Sequence, residues 1–400
     1  MDHGGAVKFA IGLLATAAFA QDAMTTLAEA RDKVLAQASG LSKYVCVETI
    51  DRSYYSRKVD PDAPPSCEKI ALDRKHGHDS LKLEKTDRLR VAVRIFNGRE
   101  VYSWTGDAPY AHGVEDVLNG GPIGTGPFAA YLLQMLTDPS VRFRLLGEPA
   151  ENVEYGFRVP LEAGLRVVLS QSGWLPSAFG GSLRIDAHSL AVRRLDVDTD
   201  ELPAESGMCE ENTVLTFGDD FLPTQSRARL VMRDGTETER VTTISDCREA
   251  EVAAPSPPSE GAPFPKGLRL PLEFDRAIDT SVAAAGDPIS ATVAETVIVP
   301  GRMVGAGVKV SGRIVQLSHA GRYFFIGVAF DTLEEKGVRR PFYARLITPP
   351  PAVENRSQGN HLTGHGNPDW PHSTLAWHES RHAVPAGFKT IWVTVDPSER

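Results

Sequence analysis

The sequence predicts a mainly β protein: an α+β first domain followed by a small β-barrel or sandwich. Residues 88–96 alternate apolar and charged side chains with a period of two, and later stretches repeat that period. Asn97-Gly98 and Asp234-Gly235 stand between alternating runs, as hairpin turns do. Residues 249–266 (EAEVAAPSPPSEGAPFPK) hold five prolines and almost no bulky apolar side chain. Such a composition stays extended and solvated, so it divides the chain into 21–248 and 267–400.

From the N-terminus, Lys8 precedes a charge-free run, Phe9 to Phe19, that closes on Ala18-Phe19-Ala20. Small residues at the −3 and −1 positions mark a signal-peptidase site, so residues 1–20 read as a signal peptide. The run is shorter than the roughly twenty residues that span a bilayer. The expected location is outside the cytoplasm, periplasmic or secreted, with no transmembrane anchor after cleavage.

The first domain opens on a helix from about Ala23 to Gly40, with Leu27, Ala30, Val34 and Leu35 at helical spacing. Strands follow. Leu89, Val91, Val93 and Ile95 face one way, Arg88, Arg90 and Arg94 the other, and Val101 to Trp104 return after the turn. The two-residue period recurs in Leu165/Val167/Leu169, Leu195/Val197 and Ala228/Leu230/Met232. One helix interrupts near Phe128 to Leu136, after the glycine-rich loop 120–126. The pattern describes a long antiparallel sheet with a polar outer face and helices on the inner one.

Several phrases come in a telling order: Tyr44-Val45-Cys46-Val47-Glu48-Thr49, Asn97-Gly98-Arg99-Glu100-Val101-Tyr102, Gly180-Gly181-Ser182-Leu183-Arg184-Ile185-Asp186, Phe221-Leu222-Pro223-Thr224 and Ile244-Ser245-Asp246-Cys247-Arg248. This order resembles the periplasmic lipoprotein-carrier and sorting fold. The resemblance implies a curved antiparallel half-barrel sheet with helices on its concave face, and a lipid or lipoprotein as ligand.

In the second domain Leu268, Leu270, Leu272 and Phe274 alternate. Further strands are expected near Ile289–Val299, Lys309–Leu317, Tyr323–Leu333, Arg340–Ile347 and Thr390–Val395. Ile278-Asp279-Thr280, Gly286-Asp287-Pro288-Ile289, Val304-Gly305 and Gly312-Arg313-Ile314 are similar to the outer barrel of conjugal-transfer and type IV secretion scaffold proteins.

A net charge of −9 argues against a nucleic-acid partner. Four cysteines (Cys46, Cys67, Cys209 and Cys247) in an exported chain predict two disulfides. Three pairings exist, and local closure favours Cys46–Cys67 with Cys209–Cys247. A three-strand meander over 209–247 would put the latter two at opposite ends, too far apart to bond. No CxxC is present, so thiol redox chemistry and cysteine-ligated zinc are not expected.

His378-Glu379-Ser380-Arg381-His382 is a literal H-E-x-x-H. On a helix its histidines would grip one zinc while the glutamate serves as base. Pro385 cuts such a helix short, Arg381 sits where such sites pack inward, and no third ligand is correctly spaced. The segment is also histidine-rich, with His361, His365 and His372, which eases a chance match. His378 and His382 are therefore weak metal candidates within a loop, 361–382. Asp279-Thr280-Ser281 has the form of an aspartic-protease turn but lacks a second copy, and a turn between strands explains it. The loop 120–126 lacks the lysine and Ser/Thr of a phosphate cradle. Two arginine rows (Arg88, Arg90, Arg94 and Arg227, Arg229, Arg233) suit a charged outer face or an anionic partner. Tyr44, Phe96, Tyr102, Trp104, Phe157 and Trp174 suit a core or a cavity lining.

The expectation is a non-enzymatic envelope protein that binds an apolar ligand (lipid or acyl chain) or a protein segment, with no cofactor and no assignable catalytic residue. A metal-dependent hydrolase using His378, Glu379 and His382, and a purely structural envelope scaffold, are the alternatives.

Overall fold

The computed structural model describes residues 24–396 apart from 39, 41–42, 59–64, 79, 97–98, 106–127, 148–150, 166, 171–172, 220–221, 250–263, 300–301 and 348–372. The expected leader, the loop 120–126, most of the linker, and His361, His365 and His372 lie outside the described residues. The architecture is mainly β, with 60% strand against 14% helix, as the alternation predicts.

The first region begins with α1 (24–38), α2 (Cys67–Lys75) and α3 (Phe128–Thr137) interleaved with strands. These strands are β1 (Tyr44–Arg57), β2 (Leu81–Phe96), β3 (Arg99–Trp104), β4 (Arg142–Leu146), β5 (Asn152–Val159), β6 (Val167–Ser170), β7 (Gly173–Pro176), β8 (Ala178–Asp186), β9 (Val192–Glu201), β10 (Met208–Phe217), β11 (Pro223–Met232) and β12 (Glu237–Glu249). Ten of them form one antiparallel ladder in the order β3-β2-β1-β12-β11-β10-β9-β8-β5-β4, while β6 and β7 make a separate hairpin.

Side chains alternate across this sheet as the pleat requires. Leu89, Val91 and Val93 are buried on the inner face, and Arg88, Arg90 and Arg94 stand on the outer one. Leu27, Ala30 and Val34 of α1 and Leu132, Met135 and Leu136 of α3 pack on the inner side of β5, β8 and β9. They meet Tyr155, Phe157, Phe179, Leu183 and Leu195. Leu35, one residue beyond Val34 and about 100° further round the helix, turns outward and is exposed.

The sequence did not announce α2, because its single buried apolar residue is Ile70. Its N-cap Ser66 accepts from the Lys69 backbone N–H at 3.2 Å. Arg74 ties it to the outer face through Glu210 at 2.7 Å and Glu237 at 3.0 Å. This helix decides the disulfides. They join Cys46 to Cys247 and Cys67 to Cys209, not the local pairs favoured by loop closure. Cys209 and Cys247 open β10 and close β12, the two far ends of a meander. β12 pairs with β1, which brings Cys247 to Cys46, and α2 carries Cys67 to the start of β10.

The second region contains β13 (Arg269–Phe274), β14 (Ile278–Asp279), β15 (Pro288–Val293), β16 (Val297–Val299), β17 (Arg302–Val304), β18 (Lys309–Ala320), β19 (Tyr323–Glu335), β20 (Val338–Pro341), β21 (Ala344–Leu346), β22 (Ser373–His378), β23 (Ala383–Val384) and β24 (Lys389–Thr394). The main ladder runs β21-β24-β13-β15-β18-β19, and β19 pairs along its other edge with β20 and then β22. The sheet does not close into a barrel. Leu268, Leu270, Leu272 and Phe274 are all buried around Trp392 and Phe330. Phe264, read from sequence as linker, is buried as well, with its ring 5.8 Å from that of Phe342. The second core therefore begins before residue 267.

Candidate functional site

The inner face of the first sheet has two unlike halves. On β5, β8 and β9 it is apolar and covered by α1 and α3. On β1, β12 and β11 it carries polar and charged side chains that are nonetheless buried: Glu48 is 0% exposed, Arg52 3%, Arg240 5%, Thr242 0% and Ser226 0%. The register makes this one patch, since Arg52 lies opposite Arg240, Ile50 opposite Thr242, and Thr242 opposite Ser226. Arg52 and Asp87 form a two-pronged pair at 2.6 and 2.8 Å, and the Tyr54 hydroxyl donates to Asp87 at 3.1 Å.

Burial works against the Arg52 charge, but the hydrogen bonds and field of Asp87 outweigh it and hold the guanidinium above its ordinary pKa. Burial pushes the Tyr54 phenol well above its ordinary value. Arg52 Nη1, Ser226 Oγ and Thr242 Oγ1 have no hydrogen-bond partner among the described residues. Buried donors and hydroxyls cost free energy when unpaired, so this half of the face is costly to fold.

A second feature joins the two regions. The edge of β2 that β3 leaves uncovered is capped by the second region. Ser318 and His319 of β18 pair with Asp87 and Thr86. Ala285 bridges next to Leu89: its N–H donates to the Arg88 carbonyl at 2.9 Å, and its carbonyl accepts from the Arg90 N–H at 2.7 Å. Arg88 donates to the Ser281 carbonyl. Arg90 clamps Asp287 at 2.5 Å and the Val282 carbonyl at 2.9 Å, while Arg313 stacks over Trp104 at 5.3 Å. Gly286 has φ +106°, and a Cβ there would fall 2.0 Å from the Arg90 carbonyl oxygen. Ile50, Leu89, Val91 and Ala285 form a small apolar cluster under this seam, with Tyr102 and Trp104 against it.

The motifs singled out in the sequence fall elsewhere or change meaning. Asp279-Thr280-Ser281 leads into residues 281–287, which meet the edge of β2. Asp279 accepts from the backbone N–H and hydroxyl of Ser281, and these bonds hold its carboxyl below the usual range. His378 ends β22, and residues 379–381 are a turn, so the H-E-x-x-H string is not helical. His378 Nδ1 bonds Ser380, and its ring meets Tyr323 edge-on. Glu379 pairs instead with Arg322 at 3.2 Å and His319 at 3.3 Å, and those partners lower its pKa. The His382 carbonyl accepts from Thr280. Among the described residues no cluster of three metal-ligating side chains occurs.

Of the arginine rows, Arg88 and Arg90 hold the seam, and Arg229 joins Glu210 at 3.3 Å. Of the aromatics, Phe157 is core, while Tyr102 and Trp104 flank the seam. Tyr44 is half-buried at the start of β1, and the side chains of Phe96 and Trp174 lie outside the described residues. The buried row on β1 and β12 was legible only as strand alternation, because nothing local marks Glu48, Arg52 or Arg240 as interior.

No family model matches the chain, and no curated protein matches it. Two disulfides point to an oxidising, non-cytoplasmic location. No described helix is long and apolar enough to cross a membrane.

Proposed function

We propose a non-enzymatic exported protein of the cell envelope that binds a protein segment on the inner face of its first sheet. The supporting observation is the buried row Glu48, Arg52, Arg240, Thr242 and Ser226 beside an apolar half already covered by helices. An acyl chain needs a continuous apolar lining, and this row interrupts one. These side chains are shielded from solvent within the chain, so a polypeptide segment would reach Arg52 Nη1 and the two hydroxyls by displacing what covers them, and it would bring amide and charged groups that answer them. The lipoprotein-carrier reading shares this surface with a lipid in place of the peptide.

Native mass spectrometry of the protein purified from an envelope fraction separates these readings. A retained peptide, lost in Arg240→Ala, supports the proposal. A retained lipid replaces the peptide with an acyl ligand, and a bare mature chain from fresh envelope sinks both. The bare-chain result would favour the structural scaffold, which the seam independently supports by fixing the two regions to each other. The hydrolase alternative draws no support from a turn that points His378 and Glu379 at separate partners.

A further inference from the structure

Four of the ten exposed large apolar side chains among the described residues, Ile298, Met303, Ile347 and Ile391, belong to one end of the second sheet. We infer that this end docks on a bilayer surface bearing anionic headgroups. The aliphatic side chains enter the headgroup boundary, and Arg269 and Arg345 meet lipid phosphates.

The register builds the surface. β13 and β24 bury every second side chain and turn the others outward. On that outer face Pro271 lies opposite Ile391. The Ile347 N–H donates to the Ile391 carbonyl at 3.0 Å, and the Ala294 N–H donates to the Pro271 carbonyl at 2.9 Å. Ile347, Ile391, Pro271 and Ala294 thus make one apolar row across the sheet. The row beside it sets Val393 between Arg345 and Arg269. Just after Ala294 the chain enters the β16–β17 hairpin. Val297 and Val304 root that hairpin in the second core, while Ile298 and Met303, directly opposite each other, are 78% and 61% exposed.

Charge and size select the occupant. Arg269 and Arg345 are exposed, and neither has a hydrogen-bond or ion-pair partner among the described residues. Glu273, on the other side of the apolar row, is matched by Lys389 at 4.0 Å. A second copy of the chain would therefore bring two more unmatched cations to this face and no unmatched carboxylate from it. At a strand spacing of about 4.8 Å the apolar row is about 14 Å long and one side chain wide. That strip falls well short of the roughly 800 Å² per partner that a stable protein interface buries. Aliphatic side chains beside arginines suit the boundary between phosphates and acyl chains, where apolar groups insert and guanidinium forks bind phosphate oxygens. The surface is separate from the inner face of the first sheet, so the inference stands whatever that face binds.

The test uses the chain from Gln21 onward, so that the expected leader adds no apolar stretch of its own. Vesicles of equal parts phosphatidylcholine and phosphatidylglycerol should co-sediment with it at low salt and release it as salt rises. Phosphatidylcholine vesicles should capture about tenfold less. Ile298→Ser/Met303→Ser and Arg269→Glu/Arg345→Glu should each weaken capture about tenfold at an unchanged melting temperature. Ile298→Trp should add an indole emission that moves to the blue when anionic vesicles are present. No preference for anionic vesicles, or equal capture of both double variants, overturns the inference. So does a concentration-dependent dimer, dispersed by Ile347→Ser/Ile391→Ser, in protein that no vesicle captures, since the row would then belong to a second copy.

Discussion

The two halves of the first sheet's inner face solve the same burial problem in opposite ways. Tyr155, Phe179, Leu183 and Leu195 meet helix side chains and gain from every square ångström removed from water. Glu48, Arg52 and Arg240 are just as buried, and the Arg52 charge is met by Asp87. In the first half, tolerance depends on volume. In the second it depends on charge balance, so single and double substitutions should behave very differently.

The largest effect is expected at Asp87→Ala, which strands Arg52 without its partner. It should cost about 3–5 kcal/mol in chemical denaturation. Arg52→Met/Asp87→Leu should recover most of that loss, because a buried pair replaced by apolar groups is often neutral. Leu183→Ala on the apolar half should cost about 2–5 kcal/mol with no such rescue by a partner. Replacing Cys67 and Cys209 together by serine should cost about 2–5 kcal/mol and free α2 from the outer face. Peptide mapping without reduction should show Cys46 joined to Cys247, and a Cys46–Cys67 peptide would refute that topology.

A smaller effect concerns alkaline pH. Burial pushes the Tyr155 phenol from 10.0 up to about 12. The folded state keeps the neutral phenol, so its contribution is intact below the unfolded value and is lost as pH rises through the folded one. Stability should therefore fall between about pH 10 and 12, and Tyr155→Phe should flatten that slope. The smallest effect reverses sign. Thr242→Val removes a buried hydroxyl that has no partner among the described residues and should stabilise by up to about 1 kcal/mol in ligand-free protein. A loss instead would mean that something answers that hydroxyl, which would sharpen the binding proposal.

Local chemistry made much of the architecture readable. The alternation at 88–96 gave β2 and its faces, and Leu268 to Phe274 gave β13 with every apolar residue buried. Nothing local could pair the cysteines, because the partners lie 201 and 142 residues apart and meet only after β12 joins β1 and α2 settles on the outer face. The H-E-x-x-H string shows the opposite failure. Its letters fit a helix, but β22 pairs with β19 up to His378 and the chain turns there. Arg88 and Arg90 read from sequence as an ordinary solvated row. Their task appears only when the loop from Ser281 to Asp287 arrives from far along the chain.

The contact of Ala285 and Gly286 with β2 has a practical corollary. A protease that nicked the chain within 250–263 would leave two fragments still clasped edge to edge. They should co-elute until Gly286→Ala, or high salt acting on Arg90 and Asp287, lets them drift apart. The molecule would then serve as a split reporter of its own assembly.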